Sequence, residues 1–158
     1  MRLFIGDKEH DVAPDEETTL LEALRACGMK SVVRGCKNGT CGSCRVLVDG
    51  SLVASCGVPV TSLPDGARVL TYEQLEHEPE ARIAVAHFED ERNSRCRLCV
   101  AGLGVAAVHL ARENALSDDG AIDRVAQGAH CQCTGRGSLR RSLAFIRQKP
   151  PFSGTSSA

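Results

Sequence analysis

Gly35-Cys36-Lys37-Asn38-Gly39-Thr40-Cys41-Gly42-Ser43-Cys44-Arg45-Val46-Leu47-Val48-Asp49-Gly50 is the stretch on which the reading of this chain turns. Three cysteines at C-x4-C-x2-C spacing alternate with three glycines. Glycine tolerates positive φ and lets backbone approach a bound group closely, so the stretch reads as a loop that wraps something. Asp49-Gly50 suits the positive φ angles of a type I′ turn. Arg45 to Val48 and Ser51 to Ser55 are therefore the arms of a hairpin, and Cys56 follows the second arm.

Outward toward the N-terminus, Leu3 to Ile5 and Glu9 to Val12 are short strands joined by a turn at Gly6-Asp7. Thr19 with Glu22 has the spacing of a capping box. Leu20, Ala23, Leu24 and Cys27 share one apolar helical face, and Gly28 suits the helix C-terminus. Arg68 to Thr71 is a closing strand. The acidic run Glu73 to Glu80, with Pro79, reads as a linker. Beyond it the period turns helical: Ala81 to Arg92, then Val100 to Asn114, apolar on most faces, then a helix capped by Ser117 that runs to Ala126 or Gln127. A last helix carries Leu139, Leu143 and Ile146 and stops at Pro150-Pro151. The expected class is α+β: a β-grasp ferredoxin-like domain over 1–72, a linker over 73–80, a small all-α bundle over 81–150 and a disordered tail over 151–158.

The chain has 158 residues, 3% aromatic residues, a net charge of −1 and nine cysteines. Domains this small often need a metal or disulfide staple. Met1 to Asp7 lacks the apolar region of a signal peptide and no apolar run approaches a membrane span, so a cytoplasmic chain without membrane contact is expected. Thiols in such a chain point to metal binding rather than cross-linking. Near-neutral charge and scarce aromatics argue against nucleic-acid binding.

Cys36, Cys41, Cys44 and Cys56 have the spacing of a plant-type [2Fe–2S] site, with two thiolates for each iron. A second quartet comprises Cys96 and Cys99 (C-x2-C) and Cys131 and Cys133 (C-x-C). Each pair precedes a helix whose N-terminal partial charge favours thiolates. A zinc site remains open for either quartet on spacing alone. Cys27, on an apolar helix face, reads as a buried small hydrophobe. His130, beside a complete quartet, reads as a surrounding or solvent-facing residue.

Taken together, Gly35-Cys36, Cys41-Gly42-Ser43-Cys44, the Val46 to Gly50 hairpin arm, Ser55-Cys56, Cys96-x2-Cys99 and Cys131-Gln132-Cys133-Thr134-Gly135 resemble the iron–sulfur subunit of the molybdenum hydroxylases, the xanthine dehydrogenase and aldehyde oxidase family. The resemblance implies two [2Fe–2S] clusters held by the eight cysteines, in a chain with no substrate pocket of its own. It further implies a hetero-oligomer with a large molybdopterin-binding subunit and a medium FAD-binding subunit. Electrons would pass from molybdenum to the helical-domain cluster, then to the ferredoxin-domain cluster, then outward. Alternatives are a stand-alone two-cluster ferredoxin or redox sensor, and a zinc-stapled interaction module.

The chain departs from the family pattern around its second quartet, where the family run Gln-Cys-Gly-x-Cys-x-Pro-Gly is replaced by Arg95-Cys96-Arg97-Leu98-Cys99-Val100-Ala101-Gly102. Arg95 stands where the family has a glutamine that approaches the pterin, so Arg95 is expected beside the partner's cofactor, paired with an anionic group. The competing account pairs it with Glu89 or Glu91. Arg136 replaces a family tyrosine.

Overall fold

The computed structural model describes residues 1–13, 15, 17–91, 97–131, 133 and 135–149. Arg95 and Cys96 lie outside the described residues, as does the expected tail.

Five short strands form one mixed sheet: β1 (Arg2–Ile5), β2 (Lys8–Asp11), β3 (Arg45–Val48), β4 (Ser51–Ala54) and β5 (Ala67–Leu70). Their order is β2-β1-β5-β3-β4, with β1 and β5 parallel and the other pairs antiparallel. The helix α1 (Leu20–Ala26) packs against this sheet. Thr19 and Glu22 make the reciprocal capping box that their spacing predicts, a feature whose cap residue contributes about 1 kcal/mol. Cys27 caps the other end, half-buried, and Gly28 follows at φ +89°. Asp49 and Gly50 take φ +47° and +86°, as the type I′ turn requires.

Four longer helices follow a short one: α2 (Tyr72–Leu75), α3 (Pro79–Glu91), α4 (Val100–Arg112), α5 (Asp119–Gln127) and α6 (Gly135–Phe145). Two local expectations change. Residues 73–80, read as a linker, include the helical turn of α2 and the start of α3. Leu75 is buried there, and Thr71 with Gln74 forms a second capping box. Helix α5 is capped by Asp118 rather than Ser117, because the Asp118 carboxylate accepts from the Gly120 N–H at 2.8 Å.

The packing shows how the sheet and the helices are joined. Side chains alternate across a strand, so Val46 and Val48 of β3 enter the core shared with Leu20 and Leu24 of α1. Leu47, from the opposite face, packs with Leu75, Ala81, Val105 and Val108. All four residues of β3 are buried. A third apolar cluster, around Phe88, Leu103, Ile122 and Leu143, fills the helical bundle.

Candidate metal centres

The glycine loop precedes β3, so the sheet fixes its end, and Cys44 lies buried in the sheet core. Cys56 is brought back to it by Ser55, whose N–H and hydroxyl both donate to the Cys44 carbonyl, at 3.2 and 2.7 Å. The segment after Cys56 is in turn held on α1: the Leu20 N–H donates to Val58 O at 2.8 Å, and the Val60 N–H to Thr18 O at 2.9 Å.

Within the loop, the Cys41 N–H donates to Cys36 Sγ at 3.4 Å, and the Ser43 N–H to Cys41 Sγ at 3.4 Å. Gly39 and Gly42 adopt φ +73° and +75°, conformations open to glycine that let the loop turn tightly. Burial opposes ionisation of Cys36, but donors from Cys41, Asn38 and Thr40 outweigh it and lower its pKa to about 7. Cys56 is pushed the other way, to about 11, by burial and by the neighbouring Cys44 thiol. Cys36 thus interacts with Cys41, and Cys56 with Cys44 and, more weakly, with Cys36. Among the described residues no group of three or more His, Cys, Asp or Glu side chains is arranged round a single metal ion.

In the second quartet, Cys99 precedes α4 and Cys131 lies between α5 and α6. Both are buried and their thiols interact directly. Burial first, and the Cys131 sulfur second, push the Cys99 pKa to about 12. A thiol held neutral so firmly in a buried pair is one that bound cation charge would ionise. Cys133 is exposed.

The two quartets are close neighbours. A Cβ at Gly102 of α4 would lie 1.8 Å from the Gly42 carbonyl oxygen. The His130 N–H donates to Thr40 O at 2.9 Å, tying the Cys131 segment to the first loop. Between the quartets lies a cavity of about 10 Å³, lined in part by Cys41, Arg45 and Cys99, at the lower limit for one water molecule. Ser43, fully buried, donates from its hydroxyl to Cys99 Sγ at 3.9 Å.

Sequence reasoning missed Arg45. Its side chain shares a face of β3 with Leu47 and so points to the helical side. It is buried, and donates from Nη2 to Val125 O at 2.7 Å, one of the last-turn carbonyls that α5 leaves free. Burial lowers its pKa, while the charges of Cys44 and Cys41 oppose that shift. Its signal was a cation directly after a cysteine of the first quartet at an inward strand position. Of the acids suggested as partners for Arg95, Glu89 pairs with Arg97 at 2.6 Å and Glu91 with Arg141 at 3.0 Å. Arg136 is exposed at the start of α6.

A family model described as a 2Fe–2S iron–sulfur cluster binding domain matches residues 3–79. The chain is 30% identical over 149 residues to a probable xanthine dehydrogenase subunit from Bacillus subtilis, covering 94% of this chain and 85% of that one. Quinoline 2-oxidoreductase from Pseudomonas putida has a chain that superposes with a TM-score of 0.72 at 26% identity, covering 96% of this chain and 98% of that one. Aldehyde oxidoreductase from Desulfovibrio gigas superposes with a TM-score of 0.77 at 26% identity, but there the match covers 96% of this chain and 18% of that one. The same unit thus occurs as a separate chain and as part of a much longer one. Among the described residues no helix is long and apolar enough to cross a membrane.

Proposed function

Because this chain belongs to the iron–sulfur small-subunit family of the molybdenum hydroxylases, we propose that it relays electrons through two [2Fe–2S] clusters inside an oxidoreductase complex. The observation that carries the reading is the gathering of thiols within one interior: the Cys41 N–H donates to Cys36 Sγ, Ser55 holds Cys56 beside Cys44, and Ser43 links Cys41 to the buried Cys99 next to Cys131. Cys36, Cys41, Cys44 and Cys56 would hold one cluster. Cys99 and Cys131 would hold the other, together with Cys96 and Cys133.

The residues fit such a group on their own geometry. A Cβ at Gly35 would meet Cys41 Sγ at 2.8 Å, so only glycine leaves the loop room beside that sulfur. Inward N–H groups already point at the sulfurs, where they stabilise added negative charge. When bound, each cluster supplies a one-electron couple. The chain's own part is to hold the thiolates, supply N–H donors and keep bulk water away from Cys41, Cys44, Cys99 and Cys131, all at most 7% exposed.

The relatives imply a larger partner. In this proposal it is a large molybdopterin-binding subunit that delivers electrons first to the Cys99 site. A medium FAD-binding subunit takes them from the Cys36 side, in a cytoplasmic hetero-oligomer. In this reading the substrate site lies on the large partner. Arg95, adjoining a ligand, would contact the partner's cofactor.

The test is anaerobic purification followed by iron, sulfide and zinc analysis and identification of co-purifying chains. The expected result is about four irons per chain, together with a large molybdopterin-binding partner. Half that iron, or stoichiometric zinc, overturns the two-cluster reading. A chain that purifies alone with both clusters overturns the subunit reading in favour of a free carrier.

A further inference from the structure

We propose that Ser43 bridges the two metal sites, its backbone N–H donating to Cys41 Sγ and its hydroxyl to Cys99 Sγ, so that it both tunes the Cys99 site and couples the two. The proposal rests on the reading that each quartet holds a [2Fe–2S] cluster. Three observations carry it.

The first is that Ser43 reaches a thiol of each quartet, at 3.4 Å from its N–H and 3.9 Å from its hydroxyl. The route between the sulfurs runs through the N–Cα, Cα–Cβ and Cβ–Oγ bonds of one residue.

The second is burial. Ser43 is 0% exposed, and a buried hydroxyl needs a partner because an unsatisfied one costs about 1–3 kcal/mol. If the position required only a small side chain, alanine would fill it without that demand.

The third is confinement. A Cβ at Gly35 would lie 2.7 Å from Ser43 Oγ and 2.9 Å from Leu98 Cδ2, and the Gly42 carbonyl is pressed against Gly102. Loop and helix are locked at this crossing, so the hydroxyl is held against Cys99 by packing on both sides.

Physical chemistry gives the consequence. A donor to a ligand sulfur favours the more negative, reduced state of the centre and raises its potential. The Ser43 hydroxyl is placed to do this for the Cys99 site and not for the other. The step it serves is the passage of one electron between the two centres. One centre is oxidised and the other reduced, with no proton transferred and no covalent bond changed.

The experiment uses the full chain loaded with its clusters, followed by electron paramagnetic resonance during redox titration. Wild type must first show two distinct signals; failure there refutes the two-cluster reading and not the role of Ser43. Ser43→Ala removes the hydroxyl and keeps the backbone N–H. We expect the potential of the Cys99-site signal to fall while the other signal moves less. Potentials that stay unchanged, or that shift by equal amounts, overturn the proposal. Ser43→Gly gives the same comparison if the alanine variant loads poorly. In wild-type protein exchanged into D2O, pulsed measurements should detect a hydroxyl deuteron coupled to the Cys99-site signal, and the variant should lose it. A coupling pattern identical in both overturns the proposal as well.

Discussion

Gly102, in the first turn of α4, lies so close to the first cysteine loop that a Cβ there would sit 1.8 Å from the Gly42 carbonyl oxygen. That approach sets how near the two thiol groups come. Gly102→Ala should therefore push α4 away from the loop. Helix propensity alone would favour alanine by up to about 1 kcal/mol. The clash is with backbone, so a net loss of about 1–3 kcal/mol or more is expected. Gly137→Ala in α6 is the control: its Cβ would meet only the tip of the Arg141 side chain, at 3.2 Å, and stability should hold or rise. Denaturant unfolding of both variants checks this, and equal behaviour would refute the tight crossing.

Arg45 should behave oppositely in loaded and metal-free chain. Its guanidinium is buried, within electrostatic reach of Cys44 and Cys41, and among the described residues no carboxylate forms an ion pair with it. A buried charge needs compensation, which an anionic cluster would provide. In the metal-free chain, Arg45→Met should be neutral or stabilising, by up to about 1–4 kcal/mol, as when a buried charge gives way to an apolar side chain. In the loaded chain the same change should lower the potential of the Cys36–Cys56 cluster. A residue that only capped Val125 would cost both forms alike and leave the potential unmoved, and a redox titration beside metal-free unfolding separates the two cases.

Glu73 links the loop region to the start of the helices. Its carboxylate accepts from the Ser31 N–H at 2.7 Å, from the Ser31 hydroxyl, and from the Thr71 hydroxyl at 2.5 Å. Burial opposes its ionisation, but the bonds from Ser31 and Thr71 outweigh burial and leave its pKa below the ordinary 4.5. A depressed folded-state pKa stabilises the fold above the unfolded value, and that stabilisation is lost as pH falls through the folded value. Wild type should therefore exceed Glu73→Gln in thermal stability at neutral pH, and the gap should close on acidification below 4.5. A gap that does not depend on pH would refute the assignment.

The two centres should be separable by mutation even though they are close neighbours. Cys41→Ser removes a sulfur paired with Cys36, and Cys99→Ser one paired with Cys131. Each should abolish one paramagnetic signal of the reduced chain and leave the other, shifted in potential because Ser43 contacts both sulfurs. Loss of both signals from either change, in protein that remains folded, would argue for a single shared centre.

What the sequence determined by itself is local. The Thr19–Glu22 capping box, the Asp49-Gly50 turn and the Gly28 helix end were legible because each is decided within four residues by backbone sterics and a short-range hydrogen bond. The cysteine spacing was legible because ligand geometry limits the loops that can wrap a cluster. Even among local features competition occurred: Asp118 displaced Ser117 as the cap of α5. What only the tertiary structure decided is which face meets which. The alternation in β3 shows that Val46 and Leu47 point opposite ways, but not that α4 covers the Leu47 face. The turn at Tyr72–Leu75 forms inside an acidic run because burying Leu75 against α4 and β3 outweighs the polar composition around it. Ser43 and Arg45 look like ordinary loop and strand residues until α4 and α5 pack against them. Their partners, Cys99 and Val125, are far along the chain, and long-range packing, which no local pattern encodes, brings them together.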